Sequence, residues 1–447
     1  MKKINIEATD QNILNAIAFD TLKRTEDVKD FIKMLESIDE NAFIALDAQW
    51  GEGKTFFVRQ IEMTLRYYNK RCFGKEILPE EESAFSTNKI LEKLESELQH
   101  TYLPIYFNAW LYDNHNDPLM SLVLNILKKS DRIQDSEIRK GIGERFTDLL
   151  SAISLTIGGE VAQVSFNNDG LMRAFEKKDI LNEVKTVEEI RLIVKEILGD
   201  IIPENADKLI LFIDELDRCK PSYAIEMLER IKHYFDDDRI IFVVSINKAQ
   251  LIHTISNCYG NNFDSSGYLN KFFDLNISLP KANADIYFAE RNISCADNYW
   301  IKKFANDLQK IFHLSLRDTT IYFQKINLIY NKYKNRMGSD EWKILIFLAP
   351  ILCVLELKDV SKRKCILNGE GFVLLKNIIM QSDNMKLYLN RLFSIKEGNI
   401  DAEIIIFEEL EKIYEFTFLS KGNGWYSGVV DLYEDFREAC IRACNIY

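Results

Sequence analysis

The apolar run Ala42–Asp47 (AFIALD) ends directly on the loop Ala48–Thr55 (AQWGEGKT), and a helical pattern follows over Thr55–Asn69. A buried strand that feeds a glycine-bearing loop into a helix start is the unit that cradles phosphate. Backbone N–H groups curl around the anion, a lysine neutralises charge, and a hydroxyl ligates Mg²⁺. Gly53, Lys54 and Thr55 fit the pattern G-x-x-x-x-G-K-[ST], while Ala48 stands where the first glycine is expected. That exchange is tolerable if the position needs no positive φ. Gly51 and Gly53 still let the backbone approach a nucleotide. The candidate nucleotide-binding residues are Trp50, Gly51, Glu52, Gly53, Lys54, Thr55 and Phe56, with Thr55 also a metal ligand. GKT alone would match by chance; its placement between a predicted strand and a predicted helix argues against chance.

The segment Leu209–Arg218 (LILFIDELDR) supplies the complementary half. An acidic residue at the end of a buried strand can hold Mg²⁺ through water, and Asp214 is so placed. Glu215 follows directly, positioned to orient and polarise an attacking water as the catalytic base. A solvated acidic turn would explain neither the apolar run leading into Asp214 nor the phosphate loop upstream. The two segments together predict binding of ATP or GTP with Mg²⁺. Hydrolysis needs a further cation on the γ-phosphate besides Lys54. Lys271 acting from a neighbouring subunit, Arg230, and Arg317 at a helix start are candidates, Arg317 being the best placed. Each also reads as an ordinary surface or structural ion pair. Asn247, at the end of the run VVSIN, fits a γ-phosphate sensor, and equally a cap for the helix that follows.

Apolar strand-like runs recur at Leu103–Phe107, Lys208–Ile213, Arg239–Ser245 and Leu275–Leu279. Helical patterns at Pro118–Lys129, Val187–Leu198, Tyr223–Phe235 and Ala249–Asn257 separate them, and Asp20–Ile38 reads as an amphipathic helix before the first strand. This alternation predicts an α/β fold, a mostly parallel sheet flanked by helices, with ligands at the carboxyl ends of the strands. Residues 70–100 and 130–186 read as helical insertions into that core. The phosphate-binding domain is expected over 1–280 and a C-terminal helical domain over 281–447, with Trp300–Phe312, Arg317–Tyr333, Glu341–Leu357 and Asp401–Phe416 its clearest helices.

Gly (18) and Pro (7) are scarce in 447 residues, which favours long helices over a many-turned β architecture. A formal net charge of −12 provides no global field for nucleic acid. The small basic cluster Lys362–Lys364 is explained as well by a solvated helix end. Leu149–Ile157 and Ile344–Leu355 are apolar but shorter than the ~20 residues that span a hydrocarbon core, and the N-terminus has no secretory pattern. A soluble, cytoplasmic protein is the expectation. The eight cysteines form no CxxC pair; Cys440 and Cys444 lie one helical turn apart without a second pair, so small buried side chains are the simpler reading.

The runs AQWGEGKTFF, YFNAWLYDNHNDPL (Tyr106–Leu119), FIDELDRCKPSYAIEMLERIKHYF (Phe212–Phe235), FVVSINKAQL (Phe242–Leu251), YLNKFFDLNISLP (Tyr268–Pro280) and LSLRD (Leu314–Asp318) together resemble the KAP family of P-loop NTPases. These belong to the additional-strand, catalytic-glutamate class. The resemblance covers about residues 16 to 335 and rests most specifically on FNAW with DELDRC. It implies that Asn108 and Trp110 belong to the family's signature after the second strand. Members often carry transmembrane helices between the phosphate loop and the acidic strand; here that interval holds only the Leu149–Ile157 run. Glu215 stands where the family often has Asp, and Asn247 where an acidic residue is common. Bacterial members are frequently parts of phage-exclusion or anti-phage systems, and animal members are membrane-linked scaffolds. The resemblance therefore implies a nucleotide-driven switch in a bacterial defence complex, working with a separate effector protein or through self-association. The alternative is an interaction scaffold, in some settings membrane-associated, that nucleotide stabilises with little turnover.

Overall fold

A computed structural model describes residues 7–69, 78–115, 117–130, 135–157, 161–162, 177–178, 187–260, 262–280, 298–336, 338–395, 401–419, 426–428, 430–432 and 436–444. They divide into two compact units, one of Ile6–Asn283 and one built from Ala284–Tyr447.

The first unit is built on five parallel strands: β1 (Ala42–Asp47), β2 (Tyr102–Asn108), β3 (Lys208–Asp214), β4 (Ile240–Ile246) and β5 (Leu275–Ser278), in the spatial order β2-β3-β4-β1-β5. Each element sits where the apolar runs predict it, to within one or two residues. Every residue of β3 and β4 is buried. Alternate side chains divide between the two faces. Leu209, Leu211 and Ile213 enter one hydrophobic cluster, and Ile210 and Phe212 enter the other. That period of two, with both faces apolar, is why these strands read as continuous hydrophobic runs. The edge strand β5 is largely exposed and correspondingly less apolar.

Helices cover both faces. Lys54–Tyr68 and Thr25–Glu36 lie over one, and Pro118–Lys129, Val187–Asn205 and Pro221–Tyr234 lie over the other. The expected helix Asp20–Ile38 instead starts at Thr25, and a separate helix occupies Asp10–Phe19. Asp20 takes a left-handed conformation (φ 47°). Its carboxylate accepts bonds from the Arg24 and Thr25 backbone N–H groups and from the Thr25 hydroxyl, at 3.0, 3.0 and 2.7 Å. Asp20 is the left-handed C-cap of the preceding helix, and a residue at that φ cannot continue a right-handed helix, so the next one begins only at Thr25.

The stretch read as an insertion at 70–100 contributes to the core from residue 78 onward. Its helix Pro79–Thr87 buries Ala84 and Phe85, and Phe85 stacks on Tyr67 at 4.1 Å between ring centroids. From the 130–186 stretch, Ser136–Ile157 is a helix whose Ile142, Phe146 and Leu149 join the core. Most of residues 158–186 lies outside the described residues.

In the second unit the helices Tyr299–Ile311, Leu316–Tyr333, Ser339–Lys358 and Ala402–Phe418 match the predicted periodic segments closely. Shorter helices, among them Val360–Leu367, Phe372–Met380 and Asp383–Leu392, complete it with a two-residue ladder pairing Tyr426–Ser427 with Asp431–Leu432. The apolar run Ile344–Leu355 is buried throughout, so it forms the centre of this unit. Among the described residues, no helix is long and apolar enough to cross a membrane.

Candidate functional site

Three loops meet at the carboxyl ends of β1, β3 and β4. The loop after β1 turns through Gly51 and Gly53, both at φ 85°, a region that glycine enters without a Cβ penalty. Ala48 has no positive φ, which explains why an alanine serves where a glycine was expected. Its N–H bonds Ile246 O at 3.1 Å and so continues the sheet into the loop. Gly53 then caps the helix Lys54–Tyr68 with no side chain on its first-turn N–H groups, leaving donors and the positive end of the dipole directed at the loop.

Lys54 is buried, and its ammonium donates to Ala48 O at 2.5 Å and Gln49 O at 3.4 Å. Burial holds its pKa below the ordinary lysine value, opposed by the nearby carboxylates of Asp217, Asp214 and Asp47. Backbone carbonyls are weak partners for a desolvated cation, so a phosphate oxyanion would be a stronger one. Glu52 and Thr55 are half-buried beside it, and Phe56 packs its ring on the core below the loop. Trp50 is 47% exposed on the rim.

Asp214 ends β3 opposite Asn108 of β2 and Ser245 of β4. It is almost fully buried, accepting the Tyr106 hydroxyl at 3.1 Å and the Glu215 N–H at 2.9 Å. Burial and then the Asp214 charge push the Tyr106 phenol well above its ordinary pKa, so it stays a donor. Glu215 has φ 60° and ψ 24°, a left-handed conformation that costs a non-glycine residue about 1–3 kcal/mol. Such strain persists where the surroundings over-determine it, and here both carboxylate oxygens are engaged. Oε2 accepts from Asn108 Nδ2 at 3.1 Å, and Oε1 pairs with Arg218 at 2.8 Å. The Arg218 guanidinium also lies against the exposed ring of Trp110, 5.6 Å from its centroid.

Asp217 was not singled out in the sequence, yet it joins the three loops. Its Oδ2 accepts the Trp50 indole N–H at 2.5 Å and the Asn247 backbone N–H at 3.1 Å. Asn247 caps the helix Lys248–Tyr259 through Gln250 N at 3.3 Å, the capping half of its two readings. Its own carboxamide nevertheless sits at the carboxyl end of β4.

The proposed γ-phosphate cations fare differently. Arg230 is engaged by Asp117 and Glu226, each at 3.0 Å, on the helix behind the acidic strand. Lys271 is exposed at the end of the helix Ser265–Asn270 and makes no described contact with the residues above. Arg317 lies at the start of the helix Leu316–Tyr333 in the second unit, exposed to solvent. Arg218, which the sequence reading passed over, is the arginine in contact with Glu215.

A parallel sheet with one strand between the glycine-loop strand and the acidic strand, and with loop, acids and lysine gathered at one end, defines a P-loop NTPase core. Residues 24–320 match the KAP family P-loop domain, about two thirds of the chain, and the protein belongs to that family. An uncharacterised protein of Methanocaldococcus jannaschii is 28% identical over 168 residues, covering 31% of this chain and 86% of the relative. The phage T7 exclusion protein of Escherichia coli K12 is 26% identical over 115 residues, 26% of this chain. That second match spans 15% of the exclusion protein's length.

Proposed function

We propose that the protein is an ATP-binding, Mg²⁺-dependent ATPase that acts as a molecular switch within an anti-phage defence complex. The observation that carries the nucleotide reading is the convergence of Gly51–Thr55, Asp214 and Glu215 at one end of the parallel sheet, with an uncapped helix N-terminus and a desolvated Lys54. Lys54 and the loop N–H groups hold the β- and γ-phosphates. A buried carboxylate whose partners are one phenol and one backbone N–H suits a Mg²⁺ held partly through water, so Asp214 and the Thr55 hydroxyl would hold it. The ion supplies charge neutralisation on the phosphates when bound. Glu215 orients the attacking water and takes its proton. The defence setting is supported by family membership and by the likeness to the phage T7 exclusion protein.

A second reading, a scaffold that nucleotide stabilises with little turnover, is favoured by one specific feature. Both oxygens of Glu215 are tied up by Asn108 and Arg218, so the base is restrained until those bonds rearrange. Steady-state phosphate release from wild type, Lys54→Ala and Glu215→Gln separates the two. The switch reading expects both variants to fall at least about 100-fold below wild type. Equal, background-level release from all three, with nucleotide binding by the wild type retained, would leave the scaffold.

A further inference from the structure

The hydrolytic reading lacks a second cation for the γ-phosphate, and the candidates first read from the sequence do not supply one within the described first unit. Arg230 is consumed by Asp117 and Glu226, and Lys271, exposed at a helix end, is a candidate only as a residue contributed by a neighbouring subunit. We propose that Arg218 is that cation, supplied by the same chain, and that it exchanges Glu215 for the γ-phosphate when nucleotide binds. This rests on the ATPase reading above and assigns the residue that reading lacks.

Several features point to Arg218. Its guanidinium is 2.8 Å from Glu215 Oε1, hence one hydrogen bond from the group that must face the attacking water. Its backbone is fixed: Arg218 N–H bonds Glu215 O at 3.1 Å, and the preceding Asp217 is anchored to Trp50 and Asn247. The side chain itself is 29% exposed and lies over the Trp110 ring, so it can swing on a rigid base. A carboxylate is the ordinary stand-in for a phosphate oxygen as an arginine partner, since both accept the same planar fork.

The exchange serves two steps together. Leaving Oε1 frees that oxygen for water while Asn108 keeps Oε2, so Glu215 remains oriented. Arriving at the γ-phosphate, the guanidinium offsets charge that develops during transfer. The water oxygen then forms a bond to the γ-phosphorus, its proton passes to Glu215, and the bond to the β–γ bridging oxygen breaks. The electron pair leaves with ADP, and the products are ADP and inorganic phosphate.

The test uses the full chain as Arg218→Ala, Arg218→Lys and wild type, all confirmed folded by circular dichroism. Three quantities are read with Mg²⁺: affinity for a non-hydrolysable ATP analogue, affinity for ADP with fluoroaluminate, and kcat for ATP. The proposal expects Arg218→Ala to bind the analogue within about threefold of wild type. It expects kcat to fall about 10³-fold or more, and the extra affinity conferred by fluoroaluminate to vanish. Arg218→Lys should recover part of both. Unchanged or raised kcat in Arg218→Ala would overturn it, leaving Arg218 as a restraint on Glu215. Should wild type bind the analogue without turning over, the fluoroaluminate arm decides: a gain lost in Arg218→Ala supports the cation, and no gain in wild type overturns it. Failure of wild type to bind any nucleotide would instead remove the ATPase reading itself, and the assignment of Arg218 with it.

Discussion

Replacing Asp217 by alanine removes the acceptor on which the three site loops converge. Oδ2 accepts two bonds, from Trp50 Nε1 at 2.5 Å and from Asn247 N at 3.1 Å. The two losses are unequal. The Trp50 ring is 47% exposed, so water can take over its N–H. Asn247 is buried, and its N–H would be left without an acceptor, which costs about 1–3 kcal/mol; the charge-assisted bond itself contributes about 1.5–3 kcal/mol. These figures overlap, because they describe the same bond, and a net loss of about 2–3 kcal/mol follows for the sheet unit. Asp217→Asn keeps an acceptor oxygen and should lose about 1 kcal/mol. Native-state hydrogen exchange at the Asn247 amide reads this locally, where a change of 2–3 kcal/mol is a rate increase of about 30- to 150-fold. Urea unfolding followed by far-ultraviolet circular dichroism gives the wider value. An Asp217→Ala protein within about 0.5 kcal/mol of wild type, or an Asn variant as damaged as the Ala variant, would refute the reasoning.

Three other outcomes follow from the packing and the caps. Phe85→Ala should destabilise the first unit by about 3–5 kcal/mol, because the ring is 1% exposed and stacked on Tyr67. Phe19→Ala, at a residue 65% exposed, should stay within about 0.5 kcal/mol in the same urea melts. In the second unit, the Ser361 hydroxyl and then the Lys362 N–H and ammonium hold the Asp359 carboxyl down at about 2. A depressed acid contributes stability above its unfolded pKa, and that contribution disappears as pH falls through the folded one. The cap on the helix Val360–Leu367 should therefore persist at pH 5 and fade between about 4 and 2. Carboxyl NMR of Asp359 would show a midpoint near 2, and a midpoint near the ordinary value would contradict the cap.

The parts of this fold that read clearly from sequence are those where one segment carries its own signal. Leu209–Ile213 is apolar at every position because both faces of β3 are covered, and Gly51 and Gly53 stand where the chain needs positive φ. The start of the second helix is not legible in the sequence, because Asp20 fits an amphipathic pattern, and only its left-handed backbone and its three bonds to Arg24 and Thr25 end the first helix there. Asp217 is illegible for a different reason: its partners Trp50 and Asn247 come from two other strand ends brought together by parallel register, and no spacing along the chain encodes that meeting. Arg218 pairs with Glu215 three residues before it in the same loop, a local spacing that carries no signal of its own because such short-range ion pairs are ordinary. The short helix Val360–Leu367 (VSKRKCIL) buries only Arg363 and Ile366, so it carries too little apolar periodicity to be recognised.

The central claim is that Gly51–Thr55 with Asp214 and Glu215 forms a working nucleotide site. Titration calorimetry of the full chain with Mg²⁺-ATP and Mg²⁺-GTP, beside Lys54→Ala and Glu215→Gln, tests it most directly. The account predicts saturable one-site binding by wild type and by Glu215→Gln, with affinity lowered at least about tenfold in Lys54→Ala, a loss of about 1.4 kcal/mol. Absence of saturable binding by wild type with either nucleotide, or identical affinity in Lys54→Ala, would contradict it.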